Sequence, residues 1–279
     1  MNWGIRFAAI VVILGGLLWL NWDRFAEQIS QPEVLEEENV QAEGLEDRGL
    51  YRADQGGDNV QQDKLEESRD SEAASSSLPD FELQEAPVSL DISDKQVRDV
   101  VEELSPPAVE WLQPEEQLRK WTLLVKQAAE GKILYQDRPF TLNLPEFSVE
   151  ERGERYFISP QNSARYDPVV KVMANLPAEK LVAYYRAWYP LLEQAFGELG
   201  LPGSFDEKVD AVIERILAVE VIETPIELKK PSSVTYKFLD PELENASQIE
   251  KWLWRMGPEN TRKIQDLAER LKRALEKSS

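Results

Sequence analysis

The sequence predicts a mainly α-helical domain of the α+β class, with a small β-hairpin or sheet, behind a single N-terminal transmembrane helix and a disordered acidic linker. Three observations predict this organisation. An uncharged apolar run lies near the N-terminus, an acidic stretch poor in apolar residues follows it, and the remainder holds large apolar residues at helical spacing. The boundaries are predicted as residues 1–26 for the anchor, 27–95 for the linker and 96–279 for the domain.

The apolar run FAAIVVILGGLLWL covers Phe7–Leu20, and its flanks extend it to about 20 residues, the length that crosses a bilayer core. Arg6 and the N-terminus lie on one side, which favours an N-terminus in the cytoplasm and a folded domain outside it. We therefore expect a single-pass protein of the inner (cytoplasmic) membrane that contacts the lipid bilayer through this helix. A cleaved signal peptide is the alternative, but the bulky continuation LNWDRFAEQ offers no small-residue cleavage site.

Residues 27–95 contain 20 acidic and 5 basic residues, so they hold most of the chain's formal net charge of −20. Their apolar residues are sparse and show neither a helical nor a strand period. Such a composition cannot bury enough surface to offset the entropy of ordering. The sequence predicts a disordered tether that sets the distance between membrane and domain; the alternative is that its acids bind divalent cations or a basic partner.

Residues 96–279 carry 31 acidic and 25 basic residues, and helical periodicity dominates them. Proline or a capping residue marks each predicted helix start, and glycine marks several ends. The predicted helices begin near Pro114, Pro177, Ser204, Asp240–Pro241 and Pro258, and the first, second and fourth end at Gly131, Gly200 and Gly257. Ser204 and Glu207 have the spacing of a capping box.

Two segments of the same region are typical of β-strands. The first, FSVEERGERYFI, predicts a hairpin that turns at Arg152–Gly153. The second, Pro225–Phe238, contains the short extended runs IEL and VTYKF on either side of Pro231. We therefore expect a small sheet beside the helices.

The chain has no Cys and no His. These two absences exclude thiolate nucleophiles, His-based triads, disulfides and zinc sites with Cys or His ligands. The acidic balance disfavours nucleic acid as a partner, and the sequence has no phosphate-binding glycine loop and no GxSxG or SxxK motif. The sequence therefore predicts no cofactor, no metal site and no catalytic residue, and it favours a protein that is not an enzyme.

Three segments are unusual: Ala164–Pro168 (ARYDP), Trp188–Pro190 (WYP) and Arg255–Asn260 (RMGPEN). In this order and spacing they resemble an uncharacterised bacterial, membrane-anchored family, domain of unknown function three-thousand-and-fourteen, over most of Gln96–Leu275. RMGPEN is the most specific of the three. The resemblance implies a single-span envelope protein with a variable linker and brings no activity with it; the strongly acidic linker is a departure that it does not explain.

These segments supply the candidate binding residues Arg165, Tyr166, Asp167, Tyr189, Arg255, Glu259 and Asn260. One interpretation is a partly buried ionic and capping network that fixes how helices join, in which Asp167 caps a helix beginning at Pro168. The other is a groove that binds an acidic or extended peptide-like ligand and is lined by Arg165 and Arg255 together with aromatic side chains: Tyr166, Tyr185, Trp188 and Tyr189.

The sequence favours a protein-interaction or assembly module whose partner is another envelope protein or a surface polymer. The alternative is a carboxylate-based hydrolase acting on a cell-envelope polymer, which would need two acids with raised pKa values in one cleft. A chaperone or assembly factor would instead show an apolar groove on its helical face.

Overall fold

The computed structural model describes residues 78–134, 136–229 and 236–278. The α-helices in this part of the chain are α1 (Asp94–Leu104), α2 (Gln117–Ala129), α3 (Pro160–Ala174), α4 (Ala178–Gly197), α5 (Phe205–Ala218), α6 (Pro241–Asn245), α7 (Gln248–Met256) and α8 (Pro258–Lys277), and short 3-10 helices cover Leu90–Ile92 and Pro106–Trp111. The strands are β1 (Val149–Arg152), β2 (Arg155–Ile158), β3 (Glu227–Lys229) and β4 (Lys237–Phe238). The prediction of a helix-rich domain with a small sheet is confirmed.

The predicted anchor, Phe7–Leu20, and most of the predicted tether lie outside the described residues. None of the helices in the described ranges is long and apolar enough to span a bilayer. The transmembrane helix and the disordered linker therefore stay predictions.

The C-terminal helix α8 lies at the centre of the domain, where it packs against α3, α4, α5 and α7. Four apolar residues at helical spacing form its inner face and are at most 1% exposed: Ile264, Leu267, Leu271 and Leu275. Helix α2 packs on α4 and α5. The helices thus share one core, as the apolar spacing in the sequence predicts.

The four strands form an antiparallel sheet in the order β1-β2-β3-β4. The predicted hairpin is confirmed, with Val149 paired to Ile158. Buried Phe238 of β4 meets Trp254 of α7 edge-on, with 6.1 Å between ring centroids. This contact joins the sheet to the helices.

The prediction of one helix from Pro241 to Gly257 is wrong, because the chain breaks into α6 and α7. Ser247 has extended backbone and starts α7 with a capping box: its hydroxyl accepts from Glu250 N, and the Glu250 carboxylate accepts from Ser247 N. A local cap of this kind competes with helix continuation, and here it prevails.

Packed structure begins before Gln96, the predicted first residue of the domain. Leu90 is 3% exposed and belongs to the core, and the more N-terminal Leu78 and Leu83 pack against it. A few leucines in an otherwise polar stretch can pack on the core formed by the rest of the chain, although their spacing follows neither a helical nor a strand period.

Candidate functional site

All the predicted binding residues except Tyr189 lie where α3 meets α7 and α8. Arg165, Tyr166 and Asp167 are on α3, Arg255 is in the last turn of α7, and Glu259 and Asn260 are in the first turn of α8. Helix α3 packs on both of the other helices. We call this region the helix junction.

Arg165 attaches the segment before β1 to α3. Its Nη1 donates to the Pro145 carbonyl at 2.8 Å, its Nη2 donates to Tyr166 Oη at 2.6 Å, and its guanidinium lies 5.7 Å from the centre of the Phe147 ring. Both Arg165, at 9% exposed, and Tyr166, at 1%, are buried. Burial raises the pKa of the Tyr166 hydroxyl, which keeps it neutral and able to accept this bond.

The amide of Asn260 joins α8 to α3. Its Nδ2 donates to Asp167 Oδ1 at 2.9 Å, to the Ser163 carbonyl at 3.0 Å and to the Met256 carbonyl at 3.2 Å. The turn beside it is Gly257, whose φ is +80°, and a Cβ atom there would collide with the Ser163 side chain. The junction therefore leaves no room between α3 and the turn that leads into α8.

The predicted cap by Asp167 is wrong, because α3 begins earlier, at Pro160. Ser159 is the cap: its hydroxyl accepts from Gln161 N at 3.3 Å. Pro168 lies inside the helix, and Asp167 bonds to Asn260 instead. A serine followed by proline is a stronger start signal than Asp-Pro in the middle of a helical apolar pattern.

The remaining junction residues differ in their exposure. The guanidinium of Arg255 lies 5.2 Å from the centre of the Phe238 ring, which is a cation–π distance. Glu259 and Asp167 are exposed, whereas Tyr166 and Asn260 are almost fully buried. Only the exposed members can reach a ligand without rearrangement, so ligand binding at the junction stays a prediction.

Tyr189 lies on α4 in a second cluster, together with the start of α5. Its Oη donates to Glu193 Oε2 at 2.7 Å, and Tyr185 Oη donates to Asp206 Oδ1 at 2.9 Å. Burial raises the pKa of Asp206 to about 7, and the charges of Glu193 and Asp210 contribute to the rise. In the sequence Asp206 is an ordinary acid in a first helical turn, and no neighbouring residue indicates that it is buried.

A third feature is an apolar groove between α2 and α4, which we call the α2–α4 groove. Its walls are apolar and aromatic side chains: Leu118 and Trp121 from α2, and Leu181, Tyr184, Tyr185, Trp188 and Leu192 from α4. Helix α1 lies in it through Val97, Val100, Val101 and Leu104. The fit leaves a cavity of about 50 Å³ beside Trp188 and another of about 30 Å³ beside Met173.

Carboxylates fasten both ends of α1. At one end Asp94 accepts from Gln117 N at 2.8 Å, which caps α2, whose own N-cap side chain makes no such bond. At the other end Glu103 accepts from Tyr184 Oη at 2.6 Å and pairs with Lys180. Burial by itself would raise the pKa of Glu103, but hydrogen bonds from Lys180, Tyr184 and Gln84 outweigh it and lower this pKa.

The described residues contain no group of three or more acids that could hold a metal ion. Against known families, the chain matches the model described as "Protein of unknown function (DUF3014)" over residues 117–272, more than half its length. The chain belongs to this family. No curated protein and no solved structure matches it.

The DUF3014 match includes both walls of the α2–α4 groove, α3, α7 and most of α8, whereas α1 lies outside the matched range. Helix α1 is absent from the predicted helices, although its four apolar residues follow the helical spacing i, i+3, i+4, i+7. That signal was available, but the helix begins inside the stretch assigned to the acidic tether.

Proposed function

We propose that this DUF3014 protein is a single-pass inner-membrane protein with its N-terminus in the cytoplasm, whose folded domain acts outside the cytoplasm as an interaction module. The apolar run Phe7–Leu20 and the acidic linker support this organisation. The observation that carries the interaction role is the α2–α4 groove, in which the DUF3014 domain holds an amphipathic helix from outside the matched residues. Helix-in-groove docking is a common mode of peptide recognition.

The proposed partner is another envelope protein that presents a helix, since the groove walls are apolar and aromatic. A carboxylate hydrolase is less well supported. The acid with the raised pKa, Asp206, accepts a hydrogen bond from Tyr185, and Glu193 accepts from Tyr189 and from Phe205 N. One oxygen of each carboxylate, Asp206 Oδ1 and Glu193 Oε2, is thus already engaged by groups of the protein. This makes the pair a poorer candidate for proton transfer to a substrate.

Single cysteines test the topology, because the natural chain has no Cys. Val88→Cys places a thiol on a side chain that is 88% exposed in the domain, and Asn2→Cys places one at the N-terminus. In cells with a permeabilised outer barrier and an intact inner membrane, an impermeant maleimide should label Val88→Cys at once and Asn2→Cys only after lysis. The reverse order would invert the topology.

Site-specific photo-crosslinking in cells tests the interaction role. A photoreactive residue replaces Ile92, which is 59% exposed beside α1, or one of the exposed junction residues Asp167 and Glu259. The control position is Glu154, which is exposed in the hairpin turn. We expect one recurrent envelope protein from Ile92 and not from Glu154. The same adducts from all four positions, or a polymer adduct alone, would contradict the proposal.

A further inference from the structure

The helix that occupies the α2–α4 groove leaves a buried hydrogen-bond donor unsatisfied. Trp188 is 6% exposed and lines the larger cavity, and its Nε1 has no acceptor among the described residues. Of the other buried indoles, Trp121 donates to Gln117 Oε1 and Trp254 to the Glu220 carbonyl, both at 2.9 Å, whereas Trp252 on α7, away from the groove, also lacks an acceptor in the described part of the chain. Buried donors in native proteins nearly always have a partner, so the orphan in the groove calls for an explanation.

Helix α1 cannot supply the missing acceptor from the face that it presents. Its side chains at the larger cavity are hydrocarbon only: Val97, Val100, Val101 and Leu104. Its polar Gln96 is also poorly matched, because the buried Oε1 has no donor among the described residues. The groove and its occupant thus leave one donor and one acceptor unpaired, besides two cavities.

The groove nevertheless has well-placed polar ends. Backbone N–H groups of Glu116 and Gln117 at the start of α2 bond to Asp94 at one end, and Lys180 and Tyr184 bind Glu103 at the other. These donors would accept a carboxylate from any helix that lies along the groove. The groove therefore selects for acids at both ends of a helix and for one acceptor in the middle.

We infer that the α2–α4 groove is the docking site for an amphipathic helix of a partner protein, with an acid near each end and a hydrogen-bond acceptor in its apolar face opposite Trp188. Helix α1 occupies this site in cis until the partner helix displaces it. This inference rests on the proposed interaction function and names the partner's chemistry. Because α1 is covalently attached, its high effective concentration compensates for an imperfect fit, and a partner must fit better to replace it.

Synthetic peptides with the sequence of residues 89–106 test the inference on the full-length chain in detergent micelles. Three variants carry Val97→Thr, Val100→Thr or Val101→Thr, each of which keeps the branched shape of the side chain and replaces one methyl group by a hydroxyl. Fluorescence anisotropy of labelled peptides measures their affinity for the unmodified protein. We expect one Thr peptide to bind about tenfold more tightly than the parent, the gain of one buried hydrogen bond.

Two protein variants show whether the gain comes from Trp188. Trp188→Phe keeps an aromatic ring and removes the N–H group, so the advantage of the Thr peptide should disappear. Trp252→Phe is the matched control, because Trp252 is 3% exposed and its Nε1 also lacks an acceptor, but it lies on α7 and does not line the groove. Loss of the advantage in both variants, or in neither, would overturn the role of Trp188.

A second measurement follows displacement itself. Val100→Cys places a single thiol where the native side chain is 5% exposed, and the rate of maleimide labelling then reports release of α1. The tight Thr peptide should accelerate labelling. If parent and Thr peptides bind equally, the helix of a second copy is the better occupant and the inferred partner helix is wrong. If no peptide binds up to its solubility limit, the docking site itself is refuted. Neither result depends on the membrane topology of the protein.

Discussion

The helix junction and the α2–α4 groove belong to one core, yet their side chains fit together differently. At the junction the Asn260 amide donates to three acceptors, and Gly257 lies so close to Ser163 that a methyl group would not fit. In the groove, two cavities and an unpaired Trp188 indole accompany α1. Buried polar atoms without a partner occur in both regions of the described chain, since Arg165 Nε and Asn260 Oδ1 at the junction also lack one. The difference therefore lies in the packing: a close fit specifies one arrangement, whereas a contact that leaves cavities allows exchange.

The largest effect should come from Gly257→Ala, which breaks the close fit of the junction. The substitution places a side chain at φ +80° and against Ser163. We expect a loss of about 3 kcal/mol in the free energy of unfolding, from backbone strain and overpacking together. Urea denaturation of the full chain measures it.

The matched control is Gly153→Ala, in the hairpin turn. Its φ is +66°, but a Cβ atom there would meet no atom within 4 Å. Only the strain remains, so the loss should be about 1 kcal/mol. Adding Ser163→Gly to Gly257→Ala should restore part of the stability, and equal losses at both glycines would show that the junction is no tighter than an open turn.

A pair of valine substitutions compares the two regions directly. Val170→Ala removes two methyl groups from α3, where the side chain is 1% exposed, and should cost about 2 kcal/mol. Val101→Ala in α1 borders both cavities, so fewer contacts are lost and about 1 kcal/mol is expected. Hydrogen exchange should also show lower protection for α1 than for α3. Equal costs and equal protection would mean that α1 is as firmly held as the junction.

A pH dependence tests the polar side of the groove wall, where Tyr185 lines the larger cavity and donates to Asp206. Burial raises the pKa of Asp206 from 3.8 to about 7, so the folded state binds this proton more tightly than the unfolded state does. The free energy of unfolding should therefore fall as the pH rises from 3.8 to about 7. Above that range the Asp206 carboxyl should make no further contribution to the pH dependence.

Melting temperatures across this range measure the effect in the wild type and in Asp206→Asn, which keeps an acceptor for Tyr185 and cannot ionise. The variant should show a flatter profile. Asp210→Asn, one turn further along α5, is the control and should retain most of the slope. The absence of His from the chain removes the usual competing titration near neutrality. An unchanged slope in Asp206→Asn would show that this carboxyl ionises normally.

The smallest effect is expected on the outer face of α1. Lys95 pairs with Asp99 at 2.5 Å one turn away, and the lysine side chain is 82% exposed. Lys95→Gln should change the unfolding free energy by less than about 0.5 kcal/mol, because an exposed ion pair is screened by solvent. It should leave peptide affinity unchanged as well, and a larger change would mean that the solvent face of α1 takes part in docking.

Local signals in the sequence predicted much of the fold. Pro258 begins α8, Ser204 and Glu207 cap α5, and the turn at Gly153 closes the hairpin. Each of these depends on neighbouring residues only, so periodicity and capping chemistry are sufficient. The family resemblance likewise came from short segments of sequence, and the match over residues 117–272 confirms the family itself.

The candidate sites were less predictable, because their partners are far apart along the chain. Arg165 bonds to the Pro145 carbonyl rather than to a carboxylate, and Asn260 finds Asp167 across the junction. No local pattern indicates that the indole of Trp188 is left without an acceptor, or that Asp206 is buried beside Tyr185.

By itself, the sequence determined the helical class, most element starts, the small sheet and the family, since these depend on local propensity and apolar period. Only the tertiary structure decided that α1 joins the core and which polar groups are paired. Burial and hydrogen bonding between distant segments settle those features, because the free energy of each contact depends on what else packs around it.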